Sequence, residues 1–178
     1  MDNYAKSNRW EKIGEIPEDP PAGTPRSVVW EVSSGTHAHY SVDDATGIAY
    51  VYVTSDTPEH ADDLGERLTK ALNALEYSSL VEKFDRSVDE DERAGNLLIL
   101  ALAAPQGFDQ PSFDRISKAL AAPEASLREA AIYASGYNPS SRYLPLLTRI
   151  AQQDPVEDLR ADAEDMLAAY DEAGVDKS

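Results

Sequence analysis

SLREAAIY (126–133) and DLRADAED (158–165) carry the same Leu-Arg pair thirty-two residues apart, each followed by Ala three positions after the Arg: Leu127, Arg128 and Ala131, then Leu159, Arg160 and Ala163. Arg93 precedes Arg128 by thirty-five residues. A unit of two helices recurring at this period cannot bury its own apolar faces, so it stacks on its neighbours and shares a core with them. The chain from about 77 to 173 therefore reads as three helical hairpins.

Helical spacing holds on both sides of the two pairs. Pro123 starts a helix that turns Leu127, Ala130, Ala131 and Ala134 inward and stops near Gly136. Upstream, Gln110-Pro111 opens a helix with Phe113, Ile116 and Leu120 inward. Ser87-Val88-Asp89-Glu90 reads as a capping box for a helix whose LLILALAA run (97–104) is apolar all round and needs cover on several sides. Downstream, Tyr143, Leu146, Leu147, Ile150 and Ala151 align, and Pro145 must lie in or near the first turn of that helix or else kink it at a cost of roughly 3 kcal/mol. Asp154-Pro155-Val156-Glu157 combines an N-cap, an N1 proline and a capping box before Leu159, Ala163, Met166 or Leu167, and Tyr170.

The N-terminal part has a different period. Residues 1–26 end in the proline-rich EIPEDPPAGTP (15–25) and read as an extended arm or tail. VVWEV (28–32), HAHYSV (37–42) and IAYVYVT (48–54) alternate with period two and are separated by SSGT and DDATG, which predicts a three-stranded meander. Val28, Trp30 and Val32 share one face of their strand, as do Ala38, Tyr40 and Val42 of theirs, leaving His37, His39 and Ser41 on the other. Thr57-Pro58 then caps a helix with Ala61, Leu64, Leu68, Ala71, Leu72 and Leu75 inward, extended or restarted at Tyr77.

The segment YLPLLTRIAQQDPVEDLRADAEDMLAAY (143–170) resembles a HEAT-like repeat of the short, regular kind. Pro145, Asp154, Leu159 and Arg160 match that family's pattern, whereas Ala122 and Ser87 stand where the other two units would carry the Asp. The resemblance implies that Asp154 and Arg160 form a structural polar ladder between stacked units. It further implies an inner face, made by the second helix of each hairpin, that holds partners. In register, Ala94, Leu97 and Leu98 stand beside Glu129, Ile132 and Tyr133, and these beside Ala161, Glu164 and Asp165, so the row passes from apolar to acidic.

Composition narrows the function classes. The 178 residues hold 33 Asp plus Glu against 16 Lys plus Arg, a net charge of −17. Such a surface repels phosphate backbones and acidic membranes and attracts basic partners, unless its role is only to keep the protein soluble. Cys is absent, which removes disulfides, thiolate chemistry and Cys-ligated zinc. No apolar run is long enough for a membrane span, no signal peptide is visible, and the expected location is the cytoplasm. No Walker, G-x-S-x-G or G-x-G-x-x-G motif occurs, and the run Asp89-Glu90-Asp91-Glu92 reads as a solvated first helical turn rather than a calcium loop.

The expectation is thus an α+β protein: an arm at 1–26, a three-stranded antiparallel β-meander plus helix at 27–85, and a HEAT-like helical hairpin stack at 86–178 on which the meander packs. Its function is expected to be non-catalytic binding of another, basic protein through Tyr133, Glu129, Glu164 and Asp165, with no cofactor, metal, nucleic acid or membrane. In its sharper form it is an inhibitor or immunity-type protein for a basic toxin or nuclease. Two alternatives stand beside it. One is a metal-dependent or accessory enzyme using His37, His39 and His60. The other is nucleic-acid binding, as in the HEAT-like DNA alkylation-repair glycosylases, which needs a basic groove; here Arg128, Arg142, Arg149 and Arg160 stand among acidic neighbours.

Overall fold

The computed structural model describes residues 1–17, 26–43, 46–105 and 107–175, and the fold is α+β. The chain divides into two compact units, Met1–Glu76 and Tyr77–Ser178.

The first unit runs α1 (Asp2–Ser7), β1 (Glu11–Ile16), β2 (Ser27–Ser33), β3 (Thr36–Val42), β4 (Ala49–Ser55) and α2 (Pro58–Leu72). The sheet is an antiparallel meander in the order β1-β2-β3-β4, so it has four strands rather than three. The added strand and α1 lie in the expected arm, whose proline-rich residues 18–25 fall outside the described residues. Strand β1 escapes a reading by alternation because its two large apolar residues, Ile13 and Ile16, remain 49% and 47% exposed, and a bulge interrupts its register between Lys12 and Gly14. Pairing with β2 holds it, not burial of its own face.

One face of this sheet is apolar. Val28 and Trp30 pack with Ala5, Met1, Trp10 and Tyr40, while Ala38, Val51 and Val53 pack with Leu64 and Leu68 of α2. Helices α1 and α2 therefore supply the cover that the alternation in β2, β3 and β4 requires. Helix α2 ends at Asn73, which takes the left-handed conformation (φ 50°) that an Asn tolerates at a helix end. Leu75, expected inward, is exposed in the connection that follows.

The second unit is three antiparallel hairpins: α3 (Tyr77–Arg86) with α4 (Glu90–Leu102), α5 (Gln110–Ala119) with α6 (Ala125–Tyr137), and α7 (Leu144–Gln153) with α8 (Glu157–Glu172). The second helices form a row, α4 packing on α6 and α6 on α8. Leu97, Leu100, Ile116, Leu120, Ala131, Ile132, Leu147, Ala163 and Tyr170 share one continuous core. Leu97 and Ile132, expected along the open row, lie fully inside it. Pro145 sits in the first turn of α7, behind a short 3-10 turn at Ser141–Tyr143.

The cap before α4 differs from the expected box. Asp89, not Ser87, is the N-cap, accepting the Glu92 N–H at 2.9 Å. Ser87 instead donates to the Lys83 carbonyl and accepts from the Asn96 amide.

Candidate functional site

Helix α6 lies between α4 and α8, and this position decides what it shows to solvent. Leu127, Arg128, Ala130, Ala131, Ile132, Ala134 and Ser135 are all buried, so its exposed residues reduce to a narrow stripe of Ala125, Glu129, Tyr133 and Gly136. That stripe has the i, i+4, i+8 spacing of a single helix face. Tyr133 is the large residue on it, 45% exposed.

The neighbouring edge of α8 is acidic. Partial burial first, then the charges of Asp162, Glu129 and Asp165, push the Tyr133 phenol above its ordinary pKa. The ring is therefore a neutral hydroxyl donor standing in a negative field. Of the residues the sequence singled out, Tyr133, Glu129 and Asp165 come together. Glu164 is exposed on α8 but is not among the charges that act on the phenol. Asp162 was missed, and the i, i+3 spacing of Asp162 and Asp165 was the signal that could have found it.

Two contacts fix α8 against α6 and so hold this surface in shape. The Tyr170 hydroxyl donates to the Ser135 carbonyl at 2.6 Å inside the core. Gly136 faces Met166 so closely that an added Cβ would stand 3.1 Å from its Cε. The helices approach here because the smallest side chain meets a flexible one.

The ladder takes a form different from the one the resemblance implies. Asp154 is held by Arg128 of the preceding hairpin, Nε to Oδ2 at 2.7 Å and Nη2 to Oδ1 at 3.0 Å, in a buried pair. Arg160 donates to the Asp154 main-chain carbonyl at 2.7 Å instead of its carboxylate. Arg128 makes the matching contact to the Ala122 carbonyl at 3.0 Å, six residues back in each case. The repeated Leu-Arg thus closes the turn of its own hairpin, and where the next turn carries an Asp it also joins the two. Arg93 has no such carboxylate, since Ala122 occupies the place, and its buried Nε has no hydrogen-bond partner among the described residues.

The other constellations give less. Imidazoles His37 and His39 have ring centres 6.4 Å apart, and His39 bonds the Thr54 hydroxyl at 2.9 Å and stacks on Tyr52 at 4.3 Å. Partial burial, then His37, draw the His39 pKa below its ordinary value, favouring the neutral ring. Among the described residues no three His, Asp or Glu side chains converge in a way that could hold a metal, so His60 does not join this pair in such a group. Arg128 and Arg160 are engaged as above, and Arg142 lies over the Phe108 ring at 3.9 Å. Among the described residues no helix is long and apolar enough to cross a membrane. Comparison of the chain with protein-family models, with curated proteins and with solved structures gives no match in any of the three.

Proposed function

We propose that this protein is a non-catalytic binding module whose HEAT-like helical stack presents Tyr133, in the negative field of Glu129, Asp162 and Asp165, to a basic protein. The observation that carries this reading is the half-exposed tyrosine in a field of three carboxylates, set on the one open stripe of an otherwise buried helix. An exposed aromatic contributes contact area at low entropy cost, and surrounding charge speeds encounter with a partner of opposite sign. The net charge of −17 adds long-range attraction of the same sign. The partner class that fits best is a basic toxin or nuclease, which makes this chain its inhibitor or immunity-type protein.

The experiment is a binding titration against a cationic nuclease, at low and at physiological salt. Binding is expected to weaken as salt screens charges beyond roughly 8 Å. Tyr133→Ala is expected to speed dissociation and Glu129→Lys with Asp165→Lys to slow association. Unchanged rates in both folded variants would place the binding surface elsewhere.

A further inference from the structure

The four-stranded sheet has two edges of opposite character. Edge strand β1 carries the devices that block strand addition: a bulge between Lys12 and Gly14, the charges Glu11, Lys12 and Glu15 in six residues, and an ion pair from Arg26 to Glu15 at 3.0 Å. Edge strand β4 carries none. It pairs with β3 without a break from Ala49 to Ser55, and AYVYVTS contains no charge and no proline in a chain of net charge −17.

The hydrogen-bond phase of β4 follows from two bonds that bracket its ladder. The Asp43 N–H donates to the Ile48 carbonyl at 2.9 Å, and the Asp56 N–H to the Gly35 carbonyl at 3.0 Å. In an antiparallel pair, bonded residues alternate with non-bonded ones. The even-numbered residues of β4 therefore direct their main-chain groups at β3. Val51, Val53 and Ser55 direct theirs away from it, and among the described residues no backbone bond outside the ladder takes them up.

We infer that β4 is a self-pairing edge, at which a second copy of this chain adds in antiparallel register about a two-fold axis at Tyr52. In that register Val51 meets Val53 of the second copy, which exchanges the outward main-chain bonds of both and continues the apolar face that α2 covers. Ala49 meets Ser55 in the same way, and Tyr52 meets its own counterpart as a close, non-bonded pair. The strand reads nearly alike in both directions about Tyr52, as an isologous contact requires. Tyr52, 41% exposed, is already held flat against His39, with ring planes 8° apart, so the pairing extends an existing stack. The absence of charge across the strand lets two chains of −17 approach at this line.

Sedimentation of the full chain from micromolar to millimolar concentration tests this. Wild type is expected to reach twice the monomer mass, and to do so at lower concentration when salt is raised, because screening relieves the repulsion between the copies. Tyr52→Lys and Tyr52→Glu are each expected to stay monomeric, and an equimolar mixture of the two to recover the double mass, since opposite charges then face across the axis. Amide exchange on the wild type gives a second reading free of any mutation: Val51, Val53 and Ser55 should become protected as concentration rises. A wild type that remains monomeric throughout, a dimer that survives either single substitution, or a dimer without protection at those amides overturns the inference. Protection of these amides only by an added extended peptide would assign the edge to a different occupant and overturn it as well.

Discussion

Arg128 and Asp154 form the buried, two-pronged ion pair that joins the second helical hairpin to the third, with Nε and Nη2 each on a separate carboxylate oxygen at 2.7 and 3.0 Å. The remaining arm, Nη1, binds the carbonyls of Ala122 and Pro123, so the guanidinium is satisfied on every side that faces protein. Removing one partner leaves the other charged and buried. Arg128→Ala is expected to cost about 3–5 kcal/mol in urea unfolding. A double-mutant cycle should find strong coupling between Arg128 and Asp154, and much weaker coupling between the Asp154 and Arg160 side chains, because Arg160 holds a main-chain carbonyl that Asp154→Ala retains and acts on the carboxylate only through its charge.

The same pair sets an acid limit. Arg128 above all, with the Val156 N–H and against the opposing effect of burial, holds the Asp154 carboxyl below the usual carboxylate range. Arg115 does likewise for Asp85. A depressed folded pKa contributes stability that is complete above the unfolded value, about 3.9 for Asp, and is lost as pH falls through the folded value. Thermal midpoints should therefore hold steady above that pH and decline below it, and the decline should be shallower in Asp154→Asn.

Arg93 offers an opposite kind of test. Its buried Nε lacks a hydrogen-bond partner among the described residues, and the turn position that would supply a carboxylate is Ala122. Ala122→Asp should add the missing rung and raise stability by about 1.5–3 kcal/mol, as a hydrogen bond to a charged group does. A midpoint that stays put or falls would show the first hairpin to be out of register with the ladder.

Removal of the N-terminal helix and strand should hurt, contrary to what composition suggests. Ala5 is buried, and Met1, Tyr4 and Trp10 pack against the cores that contain Trp30 and Leu68. Trp10→Ala should cost about 2 kcal/mol, less than the 3–5 of a fully buried aromatic, because Trp10 is only partly covered. Calorimetry of this variant and of a chain lacking residues 1–17 checks the point.

How much of this was readable in advance depends on whether a residue's role is local. The helices of the second unit were legible because burial and spacing coincide in residues such as Leu127, Ala131, Leu159 and Ala163. Strand β1 was not, since Ile13 and Ile16 stay half-exposed and nothing in EKIGEI alternates. The ladder was half-legible: the repeat located Arg and Asp, but which Arg meets which Asp is a matter of how hairpins stack, and no spacing within one unit contains it. For the binding surface, Tyr133 with Glu129 and Asp162 with Asp165 each follow from spacing within one helix, while the meeting of the two pairs depends on the crossing of α6 and α8 near Gly136 and Met166.

Binding of a basic protein by the acidic tyrosine face is measured by capture with a charge-matched control. Wild type, Glu129→Lys/Asp165→Lys and Glu59→Lys/Asp62→Lys are immobilised and exposed to proteins of the source cells, and association rates of whatever is captured are then measured at two salt concentrations. A cationic protein is expected to be held by wild type and by the α2 control, with association to Glu129→Lys/Asp165→Lys slowed by an order of magnitude or more and the difference shrinking at high salt. Equal loss in both double variants, which carry the same total charge, would contradict it and leave net charge alone as the cause.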